Sequence, residues 1–313
     1  MPPLQQTSGD LVADRRAAYA ASLAAEGDHA AAADLMTQAL ELAPHWAAGW
    51  CLLGDYHAEA GDGEGAIVAY EQLQRLDMLG VFGAGLKLAA LGAAPVPANS
   101  DTAYVAALFD DYAPRFETQL VEALGYDGPD RLMTLLLPAL AGRVVATALD
   151  LGCGTGLMGL RLRPHATRLE GIDLAAGMVA EASRKRVYDQ LGQAELSAHL
   201  AAHPGGLDLV TAADVLNYCG DLTPIFAAVA ARLVPGGLFA FTVERHEGAE
   251  GMVLRPSLRF AHSEAAVRAA CDAAGLDVLA LQPEPVRRDR GVPQIALCGL
   301  VRKPDEILTP RAA

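Results

Sequence analysis

The 313-residue sequence is poor in several features that commonly announce a role. Its five cysteines, Cys51, Cys153, Cys219, Cys271 and Cys298, are odd in number, scattered, and form no C-x-x-C pair. That argues against a disulfide framework, a dithiol redox centre or a zinc ribbon. No spacing of His, Cys and carboxylates stands out as a metal-ligand set, so no metal is expected. The amino terminus, MPPLQQTSGD, lacks the basic region and apolar core of a secretory signal, and no uninterrupted apolar run reaches membrane-spanning length. A reduced, soluble, cytoplasmic protein with no membrane partner is expected. Basic residues are scarce too, with 24 Lys and Arg against 38 Asp and Glu for a formal charge of −14. Such a chain repels a phosphate backbone, which excludes nucleic acid as a partner.

The length suffices for two domains, each with its own core. Acidity is densest before residue 99, where 4 Lys and Arg face 12 Asp and Glu. That segment carries a repeat with a period of 34: Gly27-Asp28 recurs as Gly61-Asp62, Ala32 as Ala66, and Met36 as Tyr70. Pro44 closes the first copy as a helix breaker, and Trp50, Leu53 and Gly54 open the second. This pattern resembles the tetratricopeptide repeat (TPR), in which small residues let paired helices approach closely, with His57 standing where tyrosine is usual and Met78 where proline is usual. The expected module covers residues 1–98, with repeats at about 13–46 and 47–80 and a capping helix at 81–92. GAAPVPANSD, residues 92–101, reads as the linker.

Beyond it the pattern alternates. A strand is expected at 144–149, a helix near 157–163, a strand at 168–172, a helix at 177–190, and short apolar strands near 207–212 and 238–243. The tail GLDVLALQPEPV followed by PQIALCGLVRK reads as two strands joined by a turn. The fold class is therefore α/β: a Rossmann-like, mostly parallel sheet over residues 99–313 with an antiparallel terminal strand, preceded by an all-α module.

The densest signal is ALDLGCGTGLMG, residues 148–159. Gly154, Gly156 and Gly159 spell the dinucleotide fingerprint G-x-G-x-x-G, while Asp150, Gly152, Gly154 and Gly156 spell D-x-G-x-G-x-G, the signature of S-adenosylmethionine (SAM) sites. The acid at the strand end discriminates between them. A pyrophosphate wants a bare helix amino terminus, whereas SAM brings a cationic sulfonium and an ammonium that a carboxylate stabilises.

Five blocks in order, FDDYAPRFETQL, ALDLGCGTGLMG, LEGIDLAAGMVAEA, LDLVTAADVLNY and LVPGGLFAFTVE, make residues 101–303 resemble a class I SAM-dependent methyltransferase. With the preceding repeats, the chain is similar to bacterial predicted methyltransferases carrying TPRs. The resemblance implies SAM as cofactor and a binding set of Asp150, Gly152, Gly154, Gly156, Asp173, Leu174, Met178, Ala194, Glu195 and Asp214. Within it Asp173 would hold both ribose hydroxyls, Leu174 and Met178 would flank the adenine, and Ala194-Glu195 would read the adenine edge. Asp214 would face the cofactor's charged methionine end. FDDYAPRFETQL is expected as an amphipathic helix covering the cofactor, with Tyr112 and Phe116 as substrate contacts.

Methyl transfer leans on alignment, and a base is optional. Candidate catalytic residues are Tyr218 and His246. His262 is a further substrate-binding candidate, although Ser263-Glu264 after it looks like a helix cap. The leading functional expectation is a methyltransferase acting on a small molecule, its helical module binding a partner or shaping the pocket. A peptide or protein methyltransferase whose substrate is held by the repeats, and a TPR scaffold with a vestigial cofactor site, are the alternatives.

Overall fold

A computed structural model describes residues 7–289 and 291–305. The chain divides into two compact units, residues 1–107 with 256–258, and residues 108–255 with 259–313. The division falls inside one helix, α6 (Thr102–Tyr112), beyond the Pro-rich 92–101 stretch. None of the described helices is long and apolar enough to cross a membrane.

The first unit contains α1 (Leu11–Ala25), α2 (His29–Leu42), α3 (Ala47–Glu59), α4 (Gly63–Leu76) and α5 (Ala84–Ala90). The repeated Gly-Asp pair does the same work twice. Gly27 and Gly61 take positive φ, and Asp28 and Asp62 cap α2 and α4 by accepting from Ala31 N and Gly65 N. Ala32 and Ala66 are fully buried, and a Cβ at Gly54 would lie 2.2 Å from the Tyr70 ring, so α3 and α4 meet closely where side chains are smallest.

The second unit opens with the rest of α6, a tight turn at Ala113–Arg115 and a wider π-helical turn at Thr118–Ala123. The single helix expected over FDDYAPRFETQL is thus interrupted, since Pro114 has no N–H to continue an α-helical ladder. Next come α7 (Gly128–Leu140), β1 (Val145–Leu151), α8 (Leu157–Leu162), β2 (Ala166–Asp173), α9 (Ala176–Lys185), β3 (Gln190–Gln193) and α10 (Leu196–Ala202). The chain continues through β4 (Leu207–Ala212), α11 (Thr223–Arg232), β5 (Leu233–Arg245), β6 (Met252–Leu254), β7 (Phe260–His262), α12 (Glu264–Ala273), β8 (Asp277–Asp289) and β9 (Val292–Arg302). The helix expected to reach residue 190 stops at Lys185, where Arg186 turns left-handed and frees Tyr188 to fold under the sheet.

Strands β3-β2-β1-β4-β5 run parallel, and β9 then β8 add antiparallel on the far side of β5. Glu244 pairs with Ala296 on β9 and with Ala261 on β7, so β7 extends the β4 edge beyond the end of β4. Alternation sorts the core into two layers. Leu149, Val210, Phe239 and Phe241 pack with Phe226 of α11, while Ala148, Leu209 and Ala240 pack with Leu132 and Leu136 of α7. The carboxyl ends of β1, β2, β4 and β5 thereby share one edge, where open α/β sheets bind ligands.

Candidate functional site

The glycine loop joins β1 to α8 with Gly152, Gly154 and Gly156 all at positive φ. A Cβ at Gly154 would meet nothing within 4 Å, so the loop presents bare backbone to open space. Asp173, ending β2, reaches this loop: its Oδ2 accepts from Gly154 N at 2.9 Å and its Oδ1 from Ala175 N at 2.9 Å. Burial raises its pKa, against the pull of those amide donors. Ala194 closes the edge by donating its N–H to Asp173 O at 2.9 Å. An acid that keeps acceptor capacity, beside exposed loop backbone and the half-buried Leu174, suits a ligand bearing vicinal hydroxyls and a small apolar ring system. The donor set therefore fits SAM.

Asp150 departs from the sequence expectation. It is 1% exposed, and Tyr188 Oη and Thr211 Oγ1 donate to its two oxygens at 2.7 and 2.8 Å. Register explains this, because Thr211 lies directly beside Asp150 across β1 and β4, on the same face. Burial lifts Asp150 to about 6, despite both hydroxyl donors. Its side chain braces the loop from beneath, buried away from the open space that a cationic ligand would occupy. Gly159, counted above toward a dinucleotide fingerprint, serves the same brace. A Cβ there would lie 2.3 Å from the Tyr188 ring, and one at Gly171 2.7 Å from it. Both glycines make room for the ring that reaches Asp150.

Two further expectations are redirected. Met178 is fully buried in a cluster with Ala113 and Ala175, against which Phe109 and Phe116 pack, so it supports the wall and has no exposed face. Glu195 caps α10, accepting from Ser197 N and Ala198 N at 2.9 and 2.7 Å, which commits the carboxylate expected at an adenine edge. Over the wall lies 109–116. Asp110 Oδ1 accepts from Gly177 N at 2.7 Å, and Tyr112 stacks edgewise on Phe116 at 5.3 Å.

At the β4 and β5 ends the structure gathers residues that the sequence does not group. Asp214, at φ +60, donates its N–H to Thr242 Oγ1. Its carboxylate takes Asn217 Nδ2 at 2.6 Å, Arg259 at 2.6 Å and Arg287 at 2.9 Å. Glu244 pairs with the same two guanidinium groups, at 2.7 and 2.8 Å. The four side chains are between 11% and 16% exposed. Asp214 is therefore held by arginines, where an acid facing the cofactor's charged methionine end was expected. Arg259 also lies over the Tyr218 ring, 5.6 Å from its centroid, and Phe109 meets Tyr218 edge-on at 5.5 Å. Tyr218 thus joins the 109–116 cover to the ionic cluster.

The histidines stand apart from this group. His246 Nε2 lies 3.0 Å from Glu250 in the loop after β5. His262 is 2% exposed, its Nε2 2.9 Å from Gly220 O, and burial lowers its pKa. Ser263 caps α12 by accepting from Ala266 N, as its sequence suggests. Arg287 escaped sequence reasoning because it lies 73 residues from Asp214 and reaches it only through the terminal hairpin. A histidine pair four residues apart, His199 and His203, also passed unnoticed, although that spacing was visible.

Residues 149–239 match a family model described as a methyltransferase domain. A malonyl-[acyl-carrier protein] O-methyltransferase of Enterobacter lignolyticus is 33% identical over 142 residues, 45% of this chain and 54% of that protein. A ubiquinone biosynthesis O-methyltransferase of Thiobacillus denitrificans is 35% identical over 114 residues, 34% of this chain and 47% of that protein. The chain spans about half the length of the curated relatives it matches. Among solved structures, a Burkholderia thailandensis 1,6-didemethyltoxoflavin-N1-methyltransferase with bound S-adenosylhomocysteine (SAH) superposes with a TM-score of 0.52 at 20% identity, covering 68% of this chain and 93% of that one. The [4+2]-cyclase SpnF superposes with a TM-score of 0.53 at 20% identity, covering 67% and 98%.

Proposed function

We propose that this chain, through its class I SAM-dependent methyltransferase domain, methylates an oxygen of a small-molecule acceptor held at the carboxyl ends of β4 and β5. The observation that carries the reading is the junction of Asp173 with the bare backbone of the glycine loop, inside the segment that matches a methyltransferase domain. SAM supplies an activated methyl group when bound. Asp173 is assigned to its ribose, the amides of Gly152 to Gly156 to its methionine end, and Leu174 to its adenine. Oxygen is the proposed acceptor atom because the two curated relatives above are both named O-methyltransferases.

The chain's own contribution is alignment and water exclusion. Residues 109–116 cover the wall, and Phe109 stacks on Tyr218, placing that ring between the cover and the ionic cluster. Alignment of this kind is worth about 7–11 kcal/mol of the barrier. Tyr218 is the proposed acceptor contact. The cluster keeps Asp214 and Glu244 neutralised by Arg259 and Arg287, so the acceptor end stays rigid. His246 serves only if its loop brings it to the acceptor. The helical unit is assigned, as a TPR-like module, to partner binding. Its support is a cleft of about 640 Å³ lined by Leu40, Trp50, Leu53 and Val68 together with Glu41, Asp62 and Glu64.

The test is SAH release from SAM with panels of hydroxyl, carboxyl, amine and thiol compounds. Turnover confined to hydroxyl or carboxyl compounds supports the reading. Turnover confined to amines or thiols removes the oxygen assignment, and SAM binding without turnover of any panel returns the scaffold alternative.

A further inference from the structure

On the opposite side of the sheet from α7, Glu170 of β2 faces α10. Its parity with Ile172 puts it in the layer that also contains Leu200. A buried acid there needs partners, and it has two: Arg168 Nε at 2.7 Å and His203 Nε2 at 3.3 Å. His199, one helical turn before His203, points the same way, their ring centroids 5.6 Å apart. One nitrogen of each imidazole and one carboxylate oxygen all lie within 4.8 Å of one another. His199 Nε2 is buried and has no hydrogen-bond partner. A buried imidazole nitrogen without a partner calls for an explanation, and an ion is one of the few that satisfy it.

We infer that Glu170, His199 and His203 form a binding site for a divalent transition-metal ion such as Zn²⁺ or Co²⁺. Two imidazoles and one carboxylate are a borderline-soft donor set that suits these ions and disfavours Mg²⁺ or Ca²⁺, which take oxygen. Three protein ligands leave a fourth position for water.

Binding moves one proton on His203. His203 Nδ1 accepts from Gly205 N at 3.0 Å, so in the metal-free protein its proton is on Nε2, facing Glu170. Coordination through Nε2 requires that proton to leave and Nδ1 to become the protonated nitrogen, while the Gly205 N–H turns away. Gly205 and Gly206 both sit at positive φ in the turn that follows α10. Arg168, 52% exposed, swings off the carboxylate into solvent. Glu170 lies three residues before Asp173, about 10 Å along the strand, so the ion fastens α10 to β2 and takes no part in the reaction. The inference stands independently of the function proposed above.

The full chain, freed of any polyhistidine tag and of metal, should be titrated with CoCl₂ and ZnCl₂ at about pH 7.5. One equivalent should bind tighter than ~10 µM, without the near-ultraviolet band of a cobalt–thiolate bond that would report the cysteines. His199→Ala and Glu170→Gln should each weaken binding by about 100-fold, whereas the exposed-surface control His45→Ala should not. The ion should raise the thermal midpoint of the wild type and leave that of His199→Ala unmoved. Far-UV circular dichroism establishes that the variants are folded, and Glu170→Gln serves if His199→Ala is not. Binding weaker than ~10 µM, or affinity undiminished in a folded ligand variant, overturns the inference.

Discussion

The two halves of the strand-end edge are built on different scales. At β1 and β2 the parts are close in sequence: loop 152–156 and Asp173 meet through backbone amides, with Tyr188 and Thr211 bracing from below. At β4 and β5 the parts come from residues 214, 217, 244, 259 and 287, joined by side-chain charges. The first half presents main chain, which tolerates variation in side chains. The second depends on four charged side chains, with Arg255 a further and more exposed partner of Glu244 at 3.4 Å. That difference teaches where a conserved chemistry and a variable specificity would each reside on such a sheet, and substitutions can sharpen or break it.

The largest effect is expected from Arg287→Met. Removing one guanidinium leaves Asp214 on Arg259, and Glu244 on Arg259 and the half-exposed Arg255, and breaking a buried pair costs about 3–5 kcal/mol. Both tryptophans, Trp46 and Trp50, lie in the helical unit, so far-UV circular dichroism must follow the denaturation of the α/β unit. A loss under 1 kcal/mol, roughly what an exposed pair gives, would mean that the cluster is effectively a surface one.

Next comes the brace under the glycine loop. Burial lifts Asp150 to about 6, above the usual aspartate value. The native state therefore holds an extra proton between about pH 4 and pH 6, where the unfolded chain has lost it. Asp150's favourable contribution is present in full below about pH 4 and fades as pH rises through 6. Measured against Asp150→Asn, wild-type stability should fall by on the order of 2–3 kcal/mol between pH 4 and 7. A pH-independent difference would place Asp150 in contact with solvent.

A smaller loss, about 1–3 kcal/mol, is expected from Gly159→Ala, whose methyl group collides with the Tyr188 ring. If Tyr188 is the brace, the double variant Gly159→Ala, Asp150→Asn should cost less than the sum of the two singles. Strict additivity would separate the glycine from the acid. Smallest is His246→Ala, since that imidazole is paired with Glu250 out in the loop. Single-turnover transfer should stay within about threefold of wild type, against roughly tenfold or more for Tyr218→Phe. A hundredfold loss in His246→Ala would show that the loop closes over the acceptor.

The same contrast decided what could be read from sequence. Alternating apolar runs and the glycine loop are local patterns, so the parallel sheet, the terminal antiparallel pair and the junction near Asp173 were legible. So was the 34-residue repeat, whose Gly-Asp pairs prove to be turn and cap. Side-chain direction was not legible. A motif places Asp150 at the strand end, but only cross-strand register shows that it points at Thr211 and away from the loop's open face. Glu195 looked like a ligand because of its place in the chain, and the cap geometry that occupies it depends on where α10 begins. Arg287 was invisible because its partners come from strands that pair only in the folded sheet.

Calorimetric titration tests most directly whether the loop and Asp173 form a SAM site. Wild type and Asp173→Ala should each be titrated with SAM, SAH and NAD, with circular dichroism confirming both folds. The wild type should bind SAM and SAH and ignore NAD, and Asp173→Ala should bind both by roughly 10²-fold less, because two hydroxyls lose a charged acceptor. NAD binding without SAM binding, or unchanged SAM affinity in a folded Asp173→Ala, would contradict that site.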